Sequence, residues 1–143
     1  MLACLATRFR DLAPLPLRVV MGLAFMVHGY PKITHLVLTA QSLSQRGFVP
    51  GLFWGPLVAF VEFVGGACLV VGLLTRYWAA AIAIEMVVTT LRVKVPRGAP
   101  FVATGGQGGG YELDLIYLAV ALALVVLGSG SLSVDRTVLR RDL

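Results

Sequence analysis

Four long apolar segments, separated by short polar stretches, dominate the hydrophobic pattern of the chain. They cover residues 12–30, 55–74, 77–93 and 111–127. Each is about as long as the roughly 17–25 residues that a helix needs to cross a bilayer. The pattern therefore predicts an all-α fold, an integral membrane four-helix bundle, in which residues 1–143 form a single transmembrane domain.

The connections between these segments differ in kind. Only Thr75 and Arg76 separate the second segment from the third, which predicts an antiparallel helical hairpin. The first loop, residues 31–54, contains apolar residues and ends in Phe53 and Trp54. It predicts a short helix at the membrane interface with an aromatic anchor. The glycine-rich run 105–110 lacks the Gly-Lys-Ser/Thr of a phosphate loop, so a flexible outer loop is expected.

Composition supports a membrane protein and changes how the net charge is interpreted. Hydrophobic residues make up 58% and charged residues 13% of the chain, against roughly 45–50% and 25% in soluble domains. Basic residues of membrane proteins collect at helix ends and in cytoplasmic loops, so the net charge of +5 does not indicate nucleic acid as a partner. Cys4 and Cys68 are far apart and form no CxxC pair, and no structural disulfide is expected.

Lysine and arginine predict the orientation in the membrane. Seven lie in the N-terminus, the tight turn and the C-terminal tail, and five lie in the two longer loops. The positive-inside rule then places both termini in the cytoplasm. Arg18 interrupts the first apolar segment and no small-x-small cleavage site follows it, which favours an uncleaved first transmembrane helix over a signal peptide.

Glu62 is the most informative polar residue, because it lies well inside the second apolar segment. An acidic residue at the centre of a membrane helix costs roughly 2.5–3.5 kcal/mol, so such residues face the bundle interior and find partners. With the predicted orientation, four helices bring ionisable side chains to the outer half of one bundle: His28, Lys32, Glu62, Glu85, Arg92, Glu112 and Asp114. Glu62 is expected to pair with His28, Lys32 or Arg92.

Two interpretations of this cluster stay open at the level of the sequence. Its ion pairs either only specify how the helices pack, or also form a ligand or proton site. A metal site is not expected, since neither an HxxxH nor an ExxH spacing occurs. Arg18 and Arg76 belong to the opposite, cytoplasmic end, where lipid headgroups and helix C-termini can satisfy them.

Four motifs in order give the chain a family resemblance. They are Arg18…Gly22…His28-Gly29…Lys32, then Glu62-x-x-Gly-Gly…Gly72-Leu-Leu-Thr-Arg76, then Gly-Gly-Tyr111-Glu112, then Gly128-x-Gly-x-x-Ser133-x-Asp135. This order resembles the DoxX family of small four-helix bacterial membrane proteins, over residues 18–136. The residues at the family's motif positions are Arg18, His28, Lys32, Glu62, Arg76, Glu112 and Asp135.

The resemblance implies a protein of the bacterial cytoplasmic (inner) membrane that works together with oxidoreductases. Members of the family include a quinone-linked subunit of thiosulfate oxidation and a component of a mycobacterial complex that handles oxidative stress. The chain departs from relatives at the outer end of the third segment, where Leu91-Arg-Val-Lys-Val-Pro-Arg97 stands in place of a histidine. It also lacks the paired cysteines that thiol redox chemistry would use.

These observations lead to one main functional hypothesis and two alternatives. The main one is a small membrane subunit or accessory protein of a larger, redox-linked assembly. No residue set here carries electrons without a bound cofactor, so the chain is expected to interact with a quinone rather than to be an enzyme on its own. The alternatives are a ligand-free scaffold or assembly factor, and a small-solute or proton transporter that uses the central Glu85. Partners are then the lipid bilayer and other membrane-complex subunits.

Overall fold

Proline and glycine mark the ends of several helices. Pro14 occupies the first turn of the first helix, where its missing amide hydrogen removes no hydrogen bond. Gly72 follows the helix that ends at Val71 and has a left-handed backbone (φ +73°), which glycine adopts without steric cost. Gly128 follows the helix that ends at Leu127 and has φ +79°.

The computed structural model describes residues 10–103 and 109–140. Within these ranges there are six α-helices and no strand. The helices are α1 (Pro14–Thr34), α2 (Leu36–Gln45), α3 (Gly51–Val71), α4 (Thr75–Val88), α5 (Glu112–Leu127) and α6 (Val134–Thr137). Cys4, Arg8, Arg141 and most of the glycine-rich run lie outside the described residues.

Short stretches of other helix types interrupt or extend these elements. A π-helical segment, Val61–Gly65, lies inside α3, and a second one, Thr89–Lys94, continues α4. Two 3₁₀ turns complete the set, Arg10–Leu12 before α1 and Val95–Arg97 after the second π segment.

The all-helical prediction is confirmed for the described residues, and each predicted segment overlaps a helix. α2 occupies the first loop, where a short helix was expected. α1 continues through Pro31 to Thr34 instead of ending at residue 30. Among the described residues, α3 alone is long and apolar enough by composition to cross a membrane, so four membrane crossings stay a prediction.

α1 and α3 cross in very close contact at a pair of glycines. A Cβ on Gly22 would lie 2.5 Å from the carbonyl oxygen of Gly66, and a Cβ on Gly66 would lie 2.7 Å from that of Gly22. Such a distance is possible only without side chains, as in the small-residue crossings of membrane helices. The crossing brings the second half of α1 against the π segment of α3.

The core lies between α1, α3, α4 and α5, and α2 packs outside it. Its buried residues are Met21, Phe25, Leu69, Ala79, Ile82, Ala83, Met86, Ala121 and Leu124. Phe25 of α1 meets Tyr117 of α5 edge to face, with ring centroids 5.3 Å apart. α2 instead packs on the first half of α3, where Ala40 lies against Gly51 and Gly55.

One end of the bundle is closed by buried polar contacts. Arg18 is only 2% exposed and donates hydrogen bonds to the carbonyl oxygens of Ser129, at 2.5 Å, and Leu132. Headgroups and helix C-termini were the expected partners of Arg18; the carbonyls that it contacts lie just beyond the C-terminus of α5, in the segment that folds back over it. Arg76 donates to the carbonyls of Val125 and Val126 at the C-terminus of α5.

Asp135 completes this end from the last described helix. Its carboxylate is fully buried and accepts hydrogen bonds from the backbone amides of Leu74, at 2.7 Å, and Thr75, at 3.1 Å. These amides are among the unpaired donors at the start of α4. Asp135 therefore caps α4 from a distant part of the chain.

Candidate functional site

A cavity of about 950 Å³ opens near the other end of the bundle. α1, α2, α3, α4 and α5 all contribute to its walls. Most of the lining is apolar, including Phe25, Leu57, Val58, Ile84 and Tyr117. Cavities of this size and character, with a few placed polar groups, are typical of small-molecule binding sites.

Lys32 and Glu62 form an ion pair on the cavity wall. Lys32, near the C-terminus of α1, donates a hydrogen bond to Oε1 of Glu62 in the π segment of α3. The Glu62 side chain is 6% exposed, whereas that of Lys32 is 35% exposed. A lysine can reach from a partly wet position because its long stem is apolar. Of the three partners expected for Glu62, Lys32 is the one with which it forms an ion pair.

Glu85 of α4 lies next to this ion pair. Its carboxyl group is within hydrogen-bonding reach of the Glu62 carboxyl and interacts electrostatically with Lys32 and Asp114. The Oε2 atoms of both glutamates are buried and find no hydrogen-bond partner among the described residues. Buried polar atoms without partners are rare in folded proteins, so they mark a place where a proton, a water molecule or a ligand completes the structure.

A second ion pair closes the cavity toward the loop between α4 and α5. Lys94 donates to Oδ1 of Asp114 at 2.7 Å and to the carbonyl of Gly110 at 3.0 Å. Thr90 donates to Oδ2 of the same aspartate at 3.3 Å. The side chain of Asp114 is 9% exposed and lies in the first turn of α5, where a negative charge is favoured by the helix dipole.

The π segment after α4 determines which basic residue reaches the cavity. In a straight α-helix, Glu85, Thr89 and Arg92 would share one face. The wider π-helical turn changes this register, so Thr90 and Lys94 face Asp114, and Arg92 is exposed outside the cavity lining. π-helical turns occur frequently at functional sites. The other π segment of this chain, Val61–Gly65 in α3, contains Glu62.

The structure brings together five of the seven predicted residues and separates two. The five that line the cavity are His28, Lys32, Glu62, Glu85 and Asp114. Arg92 and Glu112 do not: Arg92 is exposed, and Glu112 is half-buried at the start of α5. Within the ranges that the structure describes, no group of three or more His, Cys, Asp or Glu side chains is placed to hold a metal ion.

The chain can be assigned to a family by comparison. The family model described as DoxX matches residues 13–95, which include the whole of α1, α2, α3 and α4 and the π segment. The chain belongs to the DoxX family. The matched region contains His28, Lys32, Glu62, Glu85 and Lys94, and Asp114 lies beyond it.

Similar proteins of other bacteria support the membership in DoxX. The chain is 30% identical to the protein named "Putative oxidoreductase CatD" of Bacillus subtilis, over 87% of this chain and 86% of that one. It is 30% identical to "Inner membrane protein YqjF" of Escherichia coli, over 90% and 94% of the two chains. It is 31% identical to an uncharacterized membrane protein of Mycobacterium tuberculosis, over 87% and 80%. No solved structure matches.

Lys94 and Thr90 are the site residues of this DoxX protein that sequence reasoning missed. The polar spacing along the third apolar segment indicated Arg92 because it assumed α-helical geometry. The residues Thr89 to Lys94 carry no glycine or proline that would indicate a π segment. Only the pairing of Lys94 with Asp114 in three dimensions reveals the shift.

Proposed function

We propose that this DoxX protein is a multi-pass protein of the bacterial cytoplasmic (inner) membrane. α1, α3, α4 with its π extension, and α5 would cross the bilayer, with both termini in the cytoplasm. The apolar composition of α3 supports this arrangement. So do the printed names of the two relatives that are called membrane proteins of Escherichia coli and Mycobacterium tuberculosis.

Apolar side chains on the outer faces of the other helices also support four crossings. Large examples are at least half exposed on each helix: Val20 and Val27 on α1, Ile84 on α4, and Ile116 and Val126 on α5. Soluble monomers rarely expose so much contiguous apolar surface. A surrounding bilayer removes it from water.

The topology can be tested with single cysteines in a variant that lacks Cys4 and Cys68. A membrane-impermeant maleimide, applied to intact spheroplasts, is expected to label Arg97→Cys and to leave Thr137→Cys unlabelled until the membrane is opened. Labelling of Thr137→Cys alone would invert the orientation. Labelling of both, or of neither, would contradict the four-crossing arrangement.

Within this membrane protein, we propose that the cavity binds the head group of a quinone and that the chain serves a redox-linked assembly as a subunit or accessory protein. The observation that carries the proposal is the largely apolar 950 Å³ cavity with a few charged groups along one side. A quinone ring fits an apolar slot and accepts hydrogen bonds on two carbonyl oxygens. Lys32 and His28 are donors on that wall.

A role as a subunit follows from the chemistry of the lining. Lysine, histidine and carboxylate side chains move protons and bind oxygen atoms, but they do not carry electrons. The reducing or oxidising equivalents must therefore come from another protein. The printed name of the Bacillus subtilis relative, which calls that protein an oxidoreductase, supports a link of this kind.

The position of the two tryptophans provides a direct binding assay. Trp54 lines the cavity, whereas Trp78 packs against Phe60 and Gly65 and is not part of the lining. In nanodiscs, a short-chain ubiquinone analogue is expected to quench the fluorescence of the Trp78→Phe protein saturably. The Trp54→Phe protein serves as the matched control and should show only weak, linear quenching.

The wall residues are tested in the same assay. In the Trp78→Phe background, Lys32→Gln should weaken binding by about tenfold, the effect of losing roughly 1.4 kcal/mol. Arg97→Gln removes a positive charge outside the cavity lining and should bind as before. Equal, non-saturable quenching of all four proteins would overturn the quinone proposal.

Native mass spectrometry tests the assembly. Other subunits at fixed stoichiometry are expected, together with bound quinone. Partner subunits without quinone, and loss of those partners in Glu62→Gln, would instead favour the ligand-free scaffold.

A further inference from the structure

The two ion pairs on the cavity wall leave one carboxyl group without a lysine or arginine. Lys32 pairs with Glu62, and Lys94 pairs with Asp114. Glu85 is left over, and no lysine or arginine forms an ion pair with it among the described residues. If all five side chains are ionised, they carry one net negative charge between them against a largely apolar lining.

The leftover carboxyl group lies against another carboxyl group. Glu85 is within hydrogen-bonding reach of Glu62, and each glutamate has a buried Oε2 atom that finds no partner in the part of the chain that the structure describes. Ionised carboxylates only accept hydrogen bonds, so two of them cannot bond to each other. A single proton between the two groups turns one into a donor and satisfies both.

We propose that Glu62 and Glu85 together bind one proton, so that Lys32, Glu62, Glu85, Lys94 and Asp114 carry no net charge as a group. In a low-dielectric site, two ionised carboxylates at short distance repel strongly, and such a pair keeps a proton. The single negative charge that remains on the pair is compensated by Lys32. The proton belongs to the pair as a unit, as in other strongly interacting carboxyl groups.

The surrounding groups are arranged consistently with this proton site. α1 contributes Lys32 and His28, and the π segment after α4 contributes Lys94. α5 contributes Asp114, which accepts hydrogen bonds from Lys94 and Thr90. His35, before α2, and Arg46, after it, line the cavity on the α2 side and are exposed. Lys32 is thus the cation in direct contact with the pair.

Electrical neutrality has a consequence for the ligand class, which rests on the proposed binding function. When these five side chains carry no net charge, the wall beside Glu85 accepts an uncharged lipophilic molecule such as a quinone, whereas an ionised Glu85 would attract an organic cation. The quenching assay with an uncharged ubiquinone analogue and with a lipophilic ammonium of similar size compares the two classes. The uncharged probe is expected to bind at least tenfold more tightly.

Infrared spectroscopy of the ligand-free protein in nanodiscs tests the shared proton directly. At neutral pH, the wild type should show the carbonyl stretching band of a protonated carboxylic acid, shifted in D₂O. Glu85→Gln should lack this band. Glu62→Gln should lack it as well, because Lys32 is then free to pair with a single, ionised Glu85. Glu112→Gln changes a glutamate outside the cavity and should keep it.

The outcomes separate this inference from the proposed function. Absence of the band in the wild type overturns the shared proton, even if the quinone analogue binds. Retention of the band in Glu62→Gln would mean that Glu85 is protonated alone, which also overturns the pair. A band that behaves as expected, in a protein that binds no quinone, supports the shared proton and contradicts the binding proposal. Circular dichroism confirms that each variant is folded.

Discussion

The ammonium group of Lys94 lies 2.7 Å from Oδ1 of Asp114. This ion pair joins the end of the π segment Thr89–Lys94 to the first turn of α5. The two side chains are 25% and 9% exposed, so the pair is largely removed from water. Arg92, two residues earlier, is exposed and lies outside the cavity lining. The π segment Thr89–Lys94 therefore determines that Lys94, and not Arg92, pairs with Asp114 at the cavity.

Substitution of these two cations should have different effects on stability. Lys94→Met leaves a buried Asp114 with only Thr90 as a hydrogen-bond donor, and we expect a loss of roughly 2 kcal/mol, below the full cost of breaking a buried ion pair because Lys94 is partly exposed. Arg92→Met should change the free energy of unfolding by less than about 0.5 kcal/mol. Unfolding curves in detergent provide the measurement.

A double substitution is the control for this interpretation. Lys94→Met combined with Asp114→Asn removes the uncompensated charge and should recover part of the lost stability. If Arg92→Met were as harmful as Lys94→Met, the register assigned to the π segment would be wrong.

Asp135 should be important for stability although it lies far from the cavity. Asp135→Ala removes the acceptor for two backbone amides at the start of α4 and leaves the buried Arg18 without a nearby negative charge. We expect a loss of roughly 2–4 kcal/mol from the lost cap and the buried charge. Asp11→Asn is the matched control, since its ion pair with Arg136 is exposed and contributes at most about 1 kcal/mol.

Thermal unfolding in detergent distinguishes the two aspartates. Similar melting temperatures for Asp135→Ala and the wild type would contradict the capping role. In that case the resemblance of the C-terminal motif to the DoxX family would need a different explanation.

Lys32 and Glu62 should behave as a coupled pair in a double-mutant cycle. Lys32→Met leaves a buried carboxylate pair without its cation and should destabilise the protein by more than Glu62→Gln does. The double variant should be more stable than the sum of the single effects predicts, with a coupling of roughly 1–3 kcal/mol. Additive effects would show that the ion pair contributes nothing to the stability of the fold.

The crossing of α1 and α3 predicts strong position dependence for glycine substitutions. Gly22→Ala places a methyl group 2.5 Å from the Gly66 carbonyl oxygen, so the helices must separate. We expect a loss of roughly 1–3 kcal/mol, typical of overpacking, together with weaker quinone binding. Gly109→Ala is the control, because a Cβ there meets no atom within 4 Å. Equal stability of both variants would contradict the close crossing.

Several features of the fold and the site were predictable from local patterns. Apolar segments of membrane-spanning length indicated the four long helices, and the apolar residues of the first loop indicated α2. The position of Glu62 inside such a segment required a partner, and the direction of the helices placed Lys32 and Glu85 near it. The motifs around Arg18, Glu62 and Arg76 indicated DoxX, and the family model confirms it.

Other features depend on contacts between distant parts of the chain. The pairing of Lys94 with Asp114 requires a π-helical turn, and no residue type between Thr89 and Lys94 indicates such a turn in the sequence. The burial of Arg18 requires the segment after α5 to fold back over α1, which no local pattern encodes.

The sequence by itself determined where the helices form, that polar side chains meet in an apolar protein, and which family the chain belongs to. The positions of the helices and the meeting of polar side chains follow from composition and periodicity along the chain, whereas the family follows from the order of its motifs. Only the tertiary structure decided which cation pairs with which carboxylate. It also decided that Glu62 and Glu85 lie together with Lys32 as the cation in contact with them. Those choices depend on helix rotation and close packing, where a shift of one residue places a different side chain in the site.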